Sequence, residues 1–237
     1  MPQALKQWYV SAAIAAFLAA HAPASHSGER DIRLVPVSRA HLCVTKGAIE
    51  EADGSRLEVK VPEMRAVVAH PTQQVAEAKL TYLGPTSKDK PLGSGEIRRQ
   101  FGLKLRAQNG CNLVYAMWRI EPKSELVVSV KRNPGMSTHA QCGTNGYHNI
   151  KPTRDLAAPR LNEGENHILR AEMEETRMRV FIDGKLTWEG YLDRDVLSFD
   201  GPVGVRTDNG RFKFELLAGE RTGHGETAPC HAGDEDE

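Results

Sequence analysis

The sequence predicts an all-β sandwich of two packed antiparallel sheets. The main signal lies in residues 168–216, where apolar and polar residues alternate on both sides of a turn at Asp183-Gly184. Alternation with period 2 is typical of strands that bury one face, and an Asp-Gly pair between two such runs marks a hairpin. Turn clusters at Asp200-Gly201-Pro202 and Asp208-Asn209-Gly210 then separate VGVR from a last predicted strand, RFKFEL.

Shorter strand-like runs precede this region. HLCVTKGAIEEADGSRLEVKV predicts two short strands around a turn at Asp53-Gly54, and MRAVVAH and VAEAKLTYLG predict two more. Residues 85–96 are rich in Pro, Gly and Ser and predict a surface loop. A meander follows, made of IRRQFGLKLRA, a turn at Asn109-Gly110, NLVYAMWRI and ELVVSVKR.

Residues 133–160 show no hydrophobic periodicity and are rich in turn formers, His and amide side chains. A stretch of this length without regular structure is uncommon inside a compact domain, and it is usually either functional or poorly ordered. Because it contains Cys142, we expect an ordered loop that a disulfide holds in place.

The two ends of the chain differ from its centre. Lys6, the short apolar run after it and the small residues Ala22-Pro23-Ala24 are typical of a secretory signal peptide cleaved after Ala24, with an uncleaved anchor as the alternative. The predicted order is a signal peptide (1–24), an irregular entry segment (25–40), a β-sandwich (41–218) and a polar flexible tail (219–237).

Charge narrows the range of partners. The 31 Lys and Arg residues balance 31 Asp and Glu residues. A formal net charge near zero argues against a nucleic-acid partner and against adsorption to a membrane surface. No segment after the signal is long and apolar enough to span a bilayer, so we expect no membrane insertion after signal cleavage. The signal peptide itself predicts a periplasmic or extracellular location.

Four cysteines, an even number in a chain expected to be exported, predict two disulfides with three possible pairings. Cys111 lies in a turn between two strand-like runs, and Cys142 lies in the loop after the next hairpin. We therefore favour Cys111–Cys142, together with Cys43–Cys230 as a tie between the ends of the domain. Free thiols are the alternative.

Strand parity divides the meander into two faces. One face is apolar and predicts the core: Phe101, Leu103, Leu105, Ala107, Val114, Ala116, Trp118, Ile120, Leu126, Val128 and Val130. The opposite face carries Lys104, Arg106, Tyr115, Arg119 and Lys131. If the strands are neighbours, four cations and one exposed tyrosine lie side by side. An aromatic ring can stack on the apolar face of a sugar, while Arg and Lys bind carboxylates.

The 133–160 stretch follows this face directly and adds His139 and Tyr147, which make directional hydrogen bonds. Together these residues predict a binding site for carbohydrate, with an acidic glycan favoured by the cations. The alternative is an ordinary solvated sheet face, on which isolated Lys and Arg residues are expected.

Signals for catalysis are weaker. No strand carries the paired carboxylates that a glycoside hydrolase requires. A polysaccharide lyase needs a Tyr or His base and a group that neutralises the uronate carboxylate. Tyr147, His139 and Arg119 are the candidates for these roles, on composition alone.

The cofactor expectation is none. His and Cys residues do not have the spacing of a paired zinc signature. Asp193, Asp195 and Asp200 offer oxygen ligands for calcium, but a solvated acidic turn is the default interpretation.

The segments RVFIDGKLTWEG and GPVGVRTDNGRFKFEL resemble the closing strands of the concanavalin A-like lectin/glucanase superfamily. They are similar in particular to laminin-G-like and 3-keto-disaccharide hydrolase-like domains, where a strand ends in v-D-G-k and a G-x-v-G-l-r turn precedes the final strand. The matching residues are Asp183, Gly184, Gly201, Gly204 and Arg206. These are structural turn positions, so the resemblance implies a jelly roll and no particular activity.

The sequence therefore predicts an exported jelly-roll β-sandwich whose leading function is to bind a polysaccharide or oligosaccharide, with acidic glycans favoured. Two other functions remain open. One is a polysaccharide-active enzyme, a lyase or a glycoside hydrolase, that uses the loop at residues 133–148. The other is a protein-interaction or envelope-structural module without a glycan ligand.

Overall fold

The computed structural model of the protein describes residue 1 and residues 32–221. The proposed signal peptide, Cys230 and most of the predicted tail lie outside the described residues. In chain order the strands of the described part are β1 (Leu34–Pro36), β2 (Leu42–Lys46), β3 (Glu50–Glu51), β4 (Leu57–Val59), β5 (Glu63–Val68), β6 (Thr72–Pro85), β7 (Arg99–Leu105), β8 (Leu113–Glu121), β9 (Glu125–Lys131), β10 (Tyr147–Asn149), β11 (Pro152–Asp155), β12 (Asn166–Glu174), β13 (Arg177–Ile182), β14 (Lys185–Tyr191), β15 (Gly204–Asp208) and β16 (Gly210–Glu220). The short helices are a 3-10 turn at Arg39–His41, α1 (His139–Cys142) and a 3-10 turn at Arg194–Ser198.

These strands form two antiparallel sheets, as the sequence predicts. Within the described residues, one sheet has nine strands in the order β11-β14-β13-β12-β6-β16-β4-β3, with β1 paired to β16. The other has seven strands in the order β10-β9-β8-β7-β15-β5-β2. The chain passes from one sheet to the other between β5 and β6, and again between β15 and β16. This alternation brings strands that are distant in sequence into contact.

The core lies between the inward faces of the sheets. Phe101 of the seven-stranded sheet packs edge-on against Phe212 and Phe214 of the nine-stranded sheet, with ring centroids 5.2 and 5.4 Å apart. Trp118 and Trp188 are also fully buried in this cluster, and parity predicts this position for Trp118. Burial of such large apolar side chains supplies the main favourable free energy of folding.

The hairpin that carries the main sequence signal is confirmed. β13 and β14 pair around Asp183 and Gly184, whose φ angles are 51° and 76°. Both values lie in the left-handed region that a two-residue hairpin turn requires. The meander of β7, β8 and β9 is confirmed as well, and each of its strands pairs with the next.

Three regions differ from the expectation. Leu34–Pro36 forms β1 within the segment expected to be irregular, and β16 continues to Glu220, so the sandwich is longer at both ends. The 133–160 stretch contains α1 and two short strands, β10 and β11. Ala107 packs outside the main core, beside Tyr115.

The prediction that Ala107 lies in the main core is wrong because of the local backbone conformation. Arg106 has a φ of 48°, which ends β7 and breaks the alternation on which the parity argument depends. In the described part of the chain, no helix has the length and apolar character needed to cross a membrane.

Candidate functional site

A cavity of about 370 Å³ lies on the outward face of the seven-stranded sheet, opposite the core. Its floor consists of outward-facing side chains from β5, β15, β7, β8 and β9. Two segments form its walls, and we call them the 86–98 loop and the 133–146 loop. Floor residues that the sequence analysis did not assign to a site include Arg65, Gln100, Met117, Val127, Ser129 and Arg206.

A buried carboxylate organises the floor. The side chain of Asp208 is 0% exposed and accepts hydrogen bonds from Arg65 Nη2 (2.6 Å), Gln100 Nε2 (2.6 Å) and Arg206 Nε (2.8 Å). Burial alone would raise the pKa of the Asp208 carboxyl, but the charges of Arg206 and Arg65 lower it by more, so the net direction is downward. Asp208 is therefore a fixed anion that holds two guanidinium groups in place.

The two arginines are direct cross-strand partners, Arg65 on β5 and Arg206 on β15. Like charges directly opposite each other destabilise a sheet unless another group compensates them. Asp208 supplies that compensation, because it accepts hydrogen bonds from both arginines. Although burial lowers the pKa of Arg206, Asp208 and two nearby tyrosines raise it by more, so this guanidinium stays charged.

A pair of tyrosines stands beside the arginines. The ring of Tyr147, on β10, stacks on the ring of Tyr115 at a centroid distance of 6.0 Å and an interplanar angle of 21°. Lys131 Nζ lies 5.1 Å from the centre of the Tyr147 ring, and the guanidinium carbon of Arg206 lies 5.0 Å from the centre of the Tyr115 ring. Both distances are within the range of cation–π attraction.

The hydroxyl of Tyr147 has a perturbed acidity. Desolvation raises its pKa, but the positive charges of Arg206 and Lys131 and a hydrogen bond with Tyr115 lower it by more. The net direction is below the usual value for tyrosine. Arg206 Nη1 lies 3.5 Å from this hydroxyl, close enough to stabilise its ionised form.

The 133–146 loop forms one wall and is tied to the sheet. The Cys111–Cys142 disulfide, favoured by the sequence analysis, joins helix α1 to the turn before β8. Thr138 and Gln141 form a capping box at the start of α1. His139 and Thr144 of this loop line the cavity. The second predicted bridge, Cys43–Cys230, stays a prediction because Cys230 lies outside the described residues.

The 86–98 loop forms the other wall, and Asn209 holds it. The Asn209 side chain is fully buried, accepts a hydrogen bond from Lys90 N (2.7 Å), and donates to the carbonyls of Lys90 (2.8 Å) and Arg98 (3.0 Å). Its φ of 53° is a conformation that Asn adopts more readily than most residues. Leu92 and Ser94 of this loop line the cavity.

The structure brings five of the seven predicted site residues to the cavity. They are Tyr115, Arg119, Lys131, His139 and Tyr147. The expectation of an exposed Tyr115 is wrong, since Tyr147 and Arg206 cover it and leave it 3% exposed. Tyr147 is the accessible ring, at 42% exposure.

Two predicted site residues do not line the cavity. Lys104 has the expected outward parity but is only 1% exposed and does not line the cavity. The Arg106 side chain lies outside the cavity, because the left-handed backbone of this residue ends β7. Its guanidinium donates a hydrogen bond to the carbonyl of Phe199. Arg119 lines the cavity and donates to Glu125 Oε1 at 2.6 Å.

Sequence reasoning missed Arg65, Arg98, Arg206 and Asp208. The family resemblance implies a structural turn position for Arg206, whereas Arg206 lies in β15 and lines the cavity. The alternation in VGVRTD places its side chain opposite the core residue Val205. The sequence does not reveal that β15 inserts between β5 and β7.

Metal ligands do not cluster in the described part of the chain, where no group of three or more His, Cys, Asp or Glu residues is arranged to hold an ion. Asp195 pairs with Arg132 at 3.3 Å. Asp200 pairs with Arg106 and Arg221, both at 3.7 Å.

Comparisons with known proteins address the fold. No protein-family model matches the sequence, and no curated protein matches it. Among solved structures, the chain is similar to carbohydrate-binding module CBM66 from Bacillus subtilis, with a TM-score of 0.51 and 13% identity over 73% of this chain and 91% of that one. The metal-free Emp46p carbohydrate recognition domain gives a TM-score of 0.49 and 8% identity over 76% of this chain and 88% of that one.

A further similar structure is domain 4 of AbnA, a GH43 extracellular arabinanase from Geobacillus stearothermophilus, with a TM-score of 0.43 and 11% identity over 75% of this chain and 82% of that one. Identities this low bear on the fold alone. The two open antiparallel sheets and the similarity to the Bacillus module show a jelly-roll β-sandwich fold.

Proposed function

We propose that this protein binds an acidic carbohydrate in the cavity on the seven-stranded sheet. The observation that carries the proposal is the composition of the cavity lining. Six Lys or Arg residues line the cavity, and one lining residue, Glu63, is acidic. The cations still outnumber the carboxylates when their partners Asp208, Glu125 and Glu96 are included. Such a site favours an anionic ligand.

Arg98 supports this proposal through its electrostatic environment. Burial lowers the pKa of its guanidinium, and the neighbouring charges of Arg119 and Arg206 lower it further. Part of this downward shift therefore comes from the positive charges of Arg119 and Arg206 near Arg98. A bound carboxylate would compensate these charges and accept charge-assisted hydrogen bonds.

Carbohydrate is favoured over other anions by the remaining lining and by the fold. Met117 and Val127 give the floor an apolar strip, and Tyr147 adds a partly exposed ring. Sugar rings carry both apolar faces and polar edges, so they match such a mixed surface. The structurally similar proteins include a carbohydrate-binding module and a carbohydrate recognition domain. Export also belongs to this proposal, supported by the disulfide and by the predicted signal peptide.

Retention of the purified protein on immobilised polygalacturonate, compared with neutral arabinan, tests the proposal. We expect selective retention on the polyuronate that weakens as salt is added. Arg98→Gln should weaken binding about tenfold or more, because one charge-assisted hydrogen bond is worth about 1.5 kcal/mol or more. Arg154→Gln is the matched control, since it removes an exposed positive charge from β11 on the other sheet. Equal retention on both polymers would contradict the proposal.

A second candidate function is a polysaccharide lyase, and the lowered pKa of Tyr147 favours it. In β-elimination a base removes the proton on the carbon beside the carboxylate. The electron pair then forms a carbon–carbon double bond and expels the glycosidic oxygen, which takes a proton from water. Ionised Tyr147 would be the base, and Arg206 would stabilise the negative charge that develops on the carboxylate.

Appearance of ultraviolet-absorbing unsaturated chain ends after incubation with polyuronates tests this second function. Tyr147→Phe should abolish that signal and leave retention on polygalacturonate in place. Retention without any unsaturated product would leave binding as the function and reject the lyase.

A further inference from the structure

The two cavity walls touch each other. Gly93 of the 86–98 loop and Thr144 of the 133–146 loop both line the cavity. A Cβ atom placed on Gly93 would lie only 2.5 Å from Thr144 Cγ2, so the backbone of one loop rests against a side chain of the other. The floor below extends across the sheet from β5 to β9, and Lys46 of β2 and Tyr147 of β10 line the cavity at its two ends. The Gly93–Thr144 contact therefore interrupts the sheet face, which is not a continuous open groove.

The 86–98 side of this contact is anchored to the sheet. Asn209 holds the loop through three hydrogen bonds at Lys90 and Arg98. Lys90 Nζ also pairs with Glu63 of β5 at 2.6 Å. Within the loop, the amide of Leu92 donates to the Glu96 carbonyl at 2.9 Å, which fixes the turn that carries Gly93.

The 133–146 side is anchored as well. The Cys111–Cys142 disulfide holds it two residues before Thr144. Asn112 Nδ2 donates to the Met136 carbonyl at 2.8 Å, and Asn133 Nδ2 donates to the Asn145 carbonyl at 3.0 Å. Since both loops are tied to the sheet on either side of the cavity, the contact between them is a fixed part of the site.

We infer that the cavity receives the end of a glycan chain and does not bind an internal segment. This inference rests on the proposed function and specifies its ligand. A long chain lying across the sheet face would have to pass through the Gly93–Thr144 contact, whereas a chain end needs only one opening. The volume of about 370 Å³ agrees, because it is near the lower limit of the range of about 300–1,000 Å³ for ligand pockets.

Chain length provides a test that needs no variant. Polygalacturonate shortened by partial hydrolysis competes, at equal mass, with the immobilised polymer for the wild-type protein. If chain ends are bound, chains ten times shorter present ten times more ends, and half-competition should need about tenfold less mass. If internal segments are bound, the mass needed should stay the same until the chains become shorter than the site, and the inference is overturned.

A covalent lock tests the role of the contact itself. In the double variant Gly93→Cys/Thr144→Cys the two residues are close enough for a disulfide, whose Cβ atoms lie about 3.5–4.5 Å apart. The matched control carries serine at both positions. If the inference is correct, the disulfide-locked protein still binds polygalacturonate. Half-competition by chains ten times shorter should still need about tenfold less mass. Loss of polymer binding in the locked protein alone would show that the loops must separate to admit a chain, which overturns the inference.

These results separate the inference from the function on which it rests. Absence of binding to polygalacturonate of every length, in the wild-type protein, contradicts the proposed function. Binding that depends on mass and not on the number of chain ends contradicts only the inference about chain ends.

Discussion

Charged side chains are arranged differently on the outward faces of the two sheets. On the nine-stranded sheet, opposite charges sit directly across from each other in neighbouring strands. Arg170 faces Glu77, and Arg179 faces Glu172, with side chains 3.8 and 3.0 Å apart. Each charge is compensated by its nearest neighbour, which is the arrangement expected of a solvated sheet face.

The seven-stranded sheet lacks this local compensation at its centre. Arg65 and Arg206 are cross-strand neighbours of the same sign, and a single buried carboxylate, Asp208, holds them together. Loops then cover the face and enclose a cavity over it. Positive charge on the outward face of the seven-stranded sheet is therefore concentrated at a cost in stability, and such concentration is characteristic of binding sites.

The largest expected loss of stability comes from removing Asp208, the carboxylate that compensates the paired arginines on the seven-stranded sheet. Asp208→Asn removes the carboxylate that Arg65 and Arg206 share and leaves Glu63, 3.9 Å from Arg65, as a more distant partner. We therefore expect a loss of about 3–5 kcal/mol in the free energy of unfolding. Denaturant unfolding measures the change. The control on the first face is Glu77→Gln, for which we expect about 0–1 kcal/mol. Similar small losses in both variants would remove the contrast between the faces.

The same carboxylate sets a dependence on pH. Because the folded protein lowers the pKa of Asp208, its contribution to stability is complete above the unfolded value of about 4 and is lost as pH falls below it. Wild-type stability should therefore decline on acidification more steeply than that of Asp208→Asn. Parallel stability curves for the two proteins, measured by thermal unfolding at several pH values, would contradict this assignment.

The next largest effect is expected for the 133–146 loop, which covers part of the outward face of the seven-stranded sheet. Cys111→Ser/Cys142→Ser opens a loop of 31 residues and should cost about 3–4 kcal/mol in the chain-entropy model. It should also release the wall that carries His139. Hydrogen exchange across residues 133–146 should rise in the variant, while exchange in β13 on the first sheet should stay unchanged. Equal increases in both regions would indicate global loosening and not a local tether.

A smaller effect is expected at the opposite wall. Asn209→Gly keeps the left-handed backbone available but leaves the carbonyls of Lys90 and Arg98 without their donor, for a loss of roughly 1–3 kcal/mol. Faster hydrogen exchange in the 86–98 loop should accompany this loss. The control is Asn145→Gly, which removes an exposed amide side chain and should change stability by less than about 0.5 kcal/mol.

The smallest change in stability is expected from Tyr147→Phe, which removes one partly exposed hydroxyl. Its effect should appear in the ultraviolet titration of tyrosine. The wild-type protein should show one tyrosine that ionises below the ordinary value of about 10, and Tyr147→Phe should lack that phase. Tyr191→Phe on the first sheet should retain it. If the early phase persists in Tyr147→Phe, another tyrosine carries the perturbed hydroxyl.

Sequence patterns predicted the fold well because period-2 alternation and Asp-Gly turns are local signals. Parity assigned the two faces of β7, β8 and β9 correctly up to the point where the backbone leaves the strand conformation. Because Arg106 has a left-handed backbone conformation, parity predicted the wrong side-chain direction for Arg106 and for Ala107. Nothing in the residue types around Arg106 marks that change, because an arginine rarely adopts a positive φ.

The candidate site was only partly predictable, for a reason of topology. Lys131 and Tyr147 belong to neighbouring strands that also follow one another in sequence, and both were predicted. Arg65 and Arg206 come from strands far apart in the chain, which meet only because β15 inserts between β5 and β7. The exposure of Tyr115 was mispredicted for a related reason, since Arg206 of β15 covers its ring together with Tyr147.

The passage from β15 to β16 has a consequence for tolerated changes in chain length. Val205 faces the core, Arg206 faces the cavity, and Asp208 and Asn209 hold the floor and one wall in consecutive positions. Removing or inserting one residue here would reverse the direction of every side chain that follows in the strand. A guanidinium would then point into hydrocarbon and a valine into the site. Substitutions between Gly204 and Gly210 can therefore differ in effect from one position to the next, whereas an insertion or deletion directly after Gly204 would disturb the floor, the wall and part of the core at once.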